Sequence, residues 1–177
     1  CFALKDIQIL ASKKLDLSPH QTLEIIQSLY ETHKIITYPR SDCSYLPEGH
    51  LLDKDDVLSA IATHFPSLMV EINGADTSIR SKVWNDAKIT AHHGIIPTPN
   101  SIQVKLSGDE NAVYGLIAFR YILQFYPAFE YQQTSIKIVA ENELFTASGR
   151  VIKKNGWKEL EKKQHQSFQK EASNQNN

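Results

Sequence analysis

The chain has 177 residues, 41% hydrophobic and 22% charged, with 19 Lys and Arg against 20 Asp and Glu for a formal charge of −1. That is the texture of folded protein in one domain or two small ones, and it excludes any argument for nucleic-acid binding from bulk charge. No run of about 18 apolar residues and no charged-then-apolar leader is present, so neither a membrane span nor a secretory signal is expected.

Residues 3 to 14 carry Leu4, Ile7, Leu10 and Ala11 at helical spacing and predict a first amphipathic helix. A second follows, in which Ser18 caps, Pro19 takes the first helical position and Gln21 closes a capping box. Its apolar stripe is Leu23, Ile26, Leu29 and Tyr30, and it runs to about His33 before delivering the chain into Ile35-Ile36-Thr37-Tyr38. Asp53-Lys54-Asp55-Asp56 could hold a hard cation. It reads better as the start of a third helix, capped by Asp55 or Asp56, with Leu58, Ile61, Ala62 and Phe65 at helical spacing. Pro66 ends that segment, and residues 67 to 90 read as irregular, with Asn73-Gly74 a turn. A fourth helix is predicted from Ser107 to Asp109 onward through Val113, Leu116, Ile117, Phe119, Tyr121 and Leu123, until Pro127 stops it. It is apolar on most sides and belongs inside a core.

Beyond it, Thr134–Val139 and Leu144–Ala147, continuing to Val151-Ile152, read as two strands joined by Glu141-Asn142-Glu143, with Asn155-Gly156 a further turn. The fold class is therefore α+β, mainly α. Two strands are marginal alone, which puts a boundary near residue 130 and partner strands elsewhere in a parent protein. The expected divisions are 1–130 helical, 131–160 β, and 161–177 a solvated tail rich in Gln, Asn, Lys and Ser. Residue 1 is Cys and the only methionine is Met69, so the sequence reads as a piece of something longer. Cys1 and Cys43 are too few for a disulfide framework and fit free thiols in a reducing, cytoplasmic compartment.

Chemistry concentrates in Ile36-Thr37-Tyr38-Pro39-Arg40-Ser41-Asp42. Tyr38 precedes a proline, which favours extended backbone and would send Tyr38 and Arg40 to one side of the chain. A phenol ionises near pH 10 and becomes a useful nucleophile when a cation or hydrogen bond stabilises its anion as it reacts. Arg40 could do this while forking onto a phosphate, which makes a phosphodiester the natural electrophile. The same residues also describe a half-buried aromatic beside an Arg40–Asp42 surface salt bridge, and the motif alone leaves both open. Lys5, Lys13, Lys14, Lys34 and Arg40, with His20 and His33, could track a phosphate backbone or simply line a solvated face. Further on, His92-His93 on extended backbone would point opposite ways, a poor chelate for one ion, so one of the two is expected to face a site.

Taken together, Gln27-Ser28-Leu29-Tyr30-Glu31, Ile36 to Asp42, Tyr45-Leu46-Pro47, Ala91-His92-His93-Gly94-Ile95-Ile96-Pro97-Thr98, Gly149-Arg150-Val151 and Gly156-Trp157 closely resemble the type IA DNA topoisomerases, in the family's order, from about residue 2 to about 160. Tyr-Pro after Ile-Thr and His-His after Ala favour its topoisomerase III branch. The resemblance implies that Tyr38 attacks a phosphodiester of single-stranded DNA, leaving a 5'-phosphotyrosine and a free 3'-hydroxyl that later reverses the reaction without ATP. It implies that Arg40 holds the scissile phosphate, that His92 is the active-site histidine with His93 its variable neighbour, and that Gln27, Glu31, Thr37 and Asp42 are polar positions around the tyrosine that contact DNA. Gly94 stands where alanine is usual, an exchange expected to be harmless. The family's magnesium-binding acidic cluster, in a toprim domain, has no counterpart here. The chain thus resembles the tyrosine-bearing helical domain plus returning strands of the gate domain that arches over DNA. Mg2+ and the other domains would be supplied by the full-length enzyme, and the piece alone would be inactive. Two alternatives stand beside it. One is a tyrosine recombinase, which places its Arg and His before the tyrosine; the other is a non-catalytic nucleic-acid-binding module of the same fold.

Overall fold

Ser18 accepts from the Gln21 backbone N–H, and the Gln21 side chain accepts from the Ser18 backbone N–H at 2.9 Å. That reciprocal cap, with Pro19 at the first helical position, fixes the start of helix α2, Pro19–Glu31. Before it lies α1, Leu4–Leu15, which ends on Asp16 in the left-handed conformation. The computed structural model describes residues 1–103 and 105–164, and the chain divides into two units, Cys1–Phe125 and Tyr126–Asn177.

The first unit is built on α1, α2 and the later helix α5, Gly108–Ile122, which pack on one another. A second capping box, Ser107 with Glu110, opens α5. Eight of its fifteen residues are buried, including Val113, Tyr114, Ile117 and Tyr121, as expected of a helix apolar on most sides. Ile7, Ala11, Ile26, Leu29, Ile35 and Ile36 close the core around it. Each fully buried aliphatic side chain contributes about 1.5–3 kcal/mol, so this cluster holds the first forty residues to α5.

Helix α3, Lys54–His64, has its N-cap at Asp53, earlier than expected, and no side-chain cap bond is made. Asp55 and Asp56 instead lie in the first turn, where acids favour the helix dipole. Pro66 does end α3, but residues 67 to 90 are more ordered than their composition suggested. Two short helical pieces, Pro66–Leu68 and α4, Met69–Asn73, follow, with another 3-10 turn at Asp86–Lys88 and a parallel bridge from Leu46 to Trp84. Pieces of three to five residues carry no periodicity for a sequence to display.

In the second unit β1, Glu130–Ala140, pairs antiparallel with β2, Glu143–Lys154. Both strands are longer than their apolar centres, and Glu143 pairs with Ala140 instead of sitting in the loop. The turn is Glu141-Asn142, with φ of 49° and 66°, the two left-handed residues that a two-residue hairpin requires. Every residue of both strands is exposed. The chain is helical again from residue 158 to residue 164. Of the expected tail 161–177, residues 165–177 lie outside the described residues.

Candidate active site

Tyr38 sits where three stretches remote in sequence meet. Ile36 bridges Pro97 and Phe2 bridges Ile95, both antiparallel. The Thr37 N–H donates to the Ile96 carbonyl at 2.9 Å, and the Thr37 hydroxyl donates to the Gly94 carbonyl at 3.1 Å while accepting from the Ile96 N–H at 3.0 Å. On the far side of the tyrosine, the Leu4 N–H donates to the Ser41 carbonyl at 2.8 Å, and Ser41 is fully buried. The residues between these anchors are Tyr38, Pro39 and Arg40. Pro39 is buried, and Tyr38 and Arg40 are exposed.

The chain turns at Pro39 and Arg40, so the strand alternation expected to align Tyr38 with Arg40 does not apply. Arg40 and Asp42, both exposed, form no ion pair with each other among the described residues. The salt-bridge alternative for the motif is therefore not realised.

Two rings pack on Tyr38. The His92 ring lies 4.3 Å from it, tilted by 36°, and Tyr30 meets it edge-on at 5.8 Å and 85°. His93 turns elsewhere: its Nδ1 is 2.9 Å from the Gly94 carbonyl, which makes Nδ1 the protonated nitrogen, and its ring meets His50 edge-on at 4.6 Å. Burial first, and then the neighbouring His93, hold His50 below the ordinary histidine value. Gln27 and Glu31 face one another across one turn of α2, Gln27 Nε2 donating to Glu31 Oε1 at 3.4 Å. Gly94 packs tightly, because a Cβ there would lie 3.1 Å from Cys1 Cβ and 3.2 Å from the Ser44 carbonyl carbon. The missing side chain is what allows this approach.

The end of α2 that leads to Tyr38 is pinned from α5. Ser28 Oγ donates to Glu110 Oε1 at 2.6 Å, and His33 Nε2 is 3.3 Å from the same oxygen. The Ser107 N–H donates to the other carboxylate oxygen at 2.8 Å. The Ser28 hydroxyl, then Ser107 and His33, hold the Glu110 carboxyl down to about 2. Glu110 and His50 carried no signal of their own in the sequence, because each acquires its partner only through the packing of distant segments. Among the described residues, no group of three or more His, Cys, Asp or Glu is placed to hold a metal ion. No helix among them is long and apolar enough to cross a membrane.

A sequence model of the family described as DNA topoisomerase matches residues 1–176. The chain belongs to that family. Relatives named DNA topoisomerase 3 are 48% identical over 160 residues in Vibrio cholerae and 43% identical over 159 residues in Haemophilus influenzae, each match covering 90% of this chain. A third, from Bacillus subtilis, is 35% identical over 161 residues and 89% of the chain. The resemblance to the topoisomerase III branch thus holds at the level of the whole chain. The chain spans about a quarter of the length of these DNA topoisomerases, 25%, 24% and 22% respectively.

Proposed function

We propose that this chain is the tyrosine-bearing part of a DNA topoisomerase that breaks and rejoins one DNA strand. The observation that supports it best is an exposed Tyr38, anchored on both flanks and packed against His92, in a chain of this family. Tyr38 Oη attacks the phosphorus of a phosphodiester in single-stranded DNA. The new Oη–P bond replaces the P–O3' bond, the phenol proton passes to solvent or a neighbouring base, and the leaving 3'-oxygen takes up a proton. The product is a 5'-phosphotyrosine, and attack by the retained 3'-hydroxyl reverses each change. Bond energy is conserved, so ATP is not required.

Arg40, with no partner from Asp42, is free to fork onto the phosphate and stabilise the charge that builds on it. His92 holds the Tyr38 ring and stands beside the phosphate as it arrives. Gln27, Glu31, Thr37, Asp42 and His93 would surround the DNA, with Thr37 acting chiefly through backbone anchoring. The described residues do not fit the magnesium ion the family resemblance implies, since Asp55 and Asp56 serve the α3 terminus and no third ligand joins them. That ion belongs to another part of the longer protein, and no step above runs through it.

We assign 1–130 to the tyrosine-bearing domain and 131–160 to the adjoining gate domain. Ile136, Ile138, Phe145 and Val151 alternate onto one side of the hairpin and are 53%, 58%, 59% and 60% exposed, a face that needs cover to be stable. In the full-length protein, wild type should yield a covalent adduct with single-stranded DNA labelled at its 3' end, on the 3' side of the break, and Tyr38→Phe should yield none. An adduct that survives Tyr38→Phe would overturn the assignment. Wild type that binds DNA but never forms an adduct would point to a binding module.

A further inference from the structure

Tyr30 lies in the last turn of α2 and is 37% exposed, although its place in the apolar stripe suggested a core position. What it packs on is Tyr38, the two rings nearly perpendicular at 5.8 Å, while the His92 ring lies 4.3 Å from the same Tyr38 ring. Its mounting is rigid. The His33 and Ile35 N–H groups donate to the Ser28 and Leu29 carbonyls at 3.1 Å each, and Glu110 clamps Ser28 and His33 from α5. Tyr38 itself sits on a three-residue turn whose backbone is anchored at Thr37 and Ser41.

We infer that Tyr30 is a positioning residue for the Tyr38 nucleophile, its perpendicular ring contact fixing the Tyr38 side chain in the attacking rotamer. This rests on the reading of Tyr38 as nucleophile. A tyrosyl ring on a turn explores several rotamers, and only one aims Oη in line with a scissile bond held elsewhere. The need is greater after cleavage, when Tyr38 carries a DNA end and must return it to the same place. An edge-to-face aromatic pair is worth enough to shift such a rotamer balance by about tenfold. The contact is made by the ring, so the Tyr30 hydroxyl is dispensable.

The test uses the full-length protein carrying Tyr30→Phe, Tyr30→Ala or Tyr30→Leu. Single-turnover cleavage and religation of an end-labelled single-stranded oligonucleotide are measured beside its equilibrium binding. Tyr30→Phe should cleave within about twofold of wild type. The two ringless variants should cleave and religate about tenfold more slowly at unchanged DNA affinity. Because Tyr30 is partly exposed at a helix end, Tyr30→Leu keeps an apolar side chain there and guards against loss of fold. Unchanged rates in Tyr30→Ala and Tyr30→Leu would overturn the inference. So would a parallel loss of DNA affinity, which would make Tyr30 a base-stacking contact, or a Tyr30→Phe defect as large as that of alanine. If wild type formed no Tyr38 adduct, the function proposed above would fail first, and that outcome is read from the wild-type lane alone.

Discussion

Glu110 ties the start of α5 to the end of α2. Its carboxylate closes the α5 capping box, accepts from Ser28 Oγ at 2.6 Å and lies 3.3 Å from His33, whose side chain is only 8% exposed. Losing a helix cap costs about 1 kcal/mol. Losing a hydrogen bond to a charged group costs about 1.5–3 kcal/mol. Glu110→Ala is therefore expected to destabilise the protein by about 3 kcal/mol, which lowers the melting temperature of a unit this size by about 10 °C. Urea unfolding followed by far-UV circular dichroism measures it, and a loss below about 0.5 kcal/mol would refute the pinning of α2 by α5.

The pH dependence gives an independent check. A carboxyl held down to about 2 contributes its full stabilisation above the ordinary value of 4.5 and loses it as pH falls through 2. The stability gap between wild type and Glu110→Gln should then be constant at neutral pH and shrink between pH 4.5 and 2. Taking the difference between two proteins cancels the other carboxylates. A gap that stays constant down to pH 2 would refute the depressed Glu110 carboxyl.

Thr37→Val removes a hydroxyl that both donates to Gly94 and accepts from Ile96, so about 1–3 kcal/mol of stability should be lost, with slower DNA cleavage in the full-length protein. Thr37→Ser should restore both, and equal stability in the valine variant would show that the backbone bond alone fixes the turn. His50 should titrate below 6.5 by NMR, because burial and the neighbouring His93 disfavour its charged form. Because a lowered histidine opposes protonation, its packing should weaken as pH falls below 6.5. His93→Gln should raise the midpoint only part of the way, since burial is the larger cause. A midpoint at or above 6.5 in wild type would count against the half-buried pair.

The parts of the fold that were legible in sequence are those written in local chemistry. Ser18, Pro19 and Gln21 announced α2 because a capping box is made by residues three apart. The apolar density of α5 announced a central helix because a helix buried all round needs no polar face. The α3 cap was displaced because several adjacent acids all suit a helix N-terminus, and only the backbone chooses among them. Motif order marked Tyr38 and His92, yet which histidine turns toward the tyrosine depends on the Gly94 carbonyl, which takes the His93 ring away. The clamp at Glu110 was invisible for the same reason, since Ser28 and Glu110 are 82 residues apart.

Those non-local contacts explain how one short turn can hold Tyr38 outside the core. Single bridges, such as Ile36 to Pro97 and Phe2 to Ile95, would each be too weak to define a position alone. The Tyr38 turn is instead fixed at both ends and in its middle: Thr37 to 94–96, buried Ser41 to Leu4, and buried Pro39 between two exposed side chains. Proline fits this central role because its φ is preset and it has no N–H to leave unsatisfied when buried. With Pro39 as the peg, Tyr38 and Arg40 can point outward without the turn itself coming loose. A phosphate that meets both side chains would then find them already spaced by the backbone, and binding would not have to order the turn first.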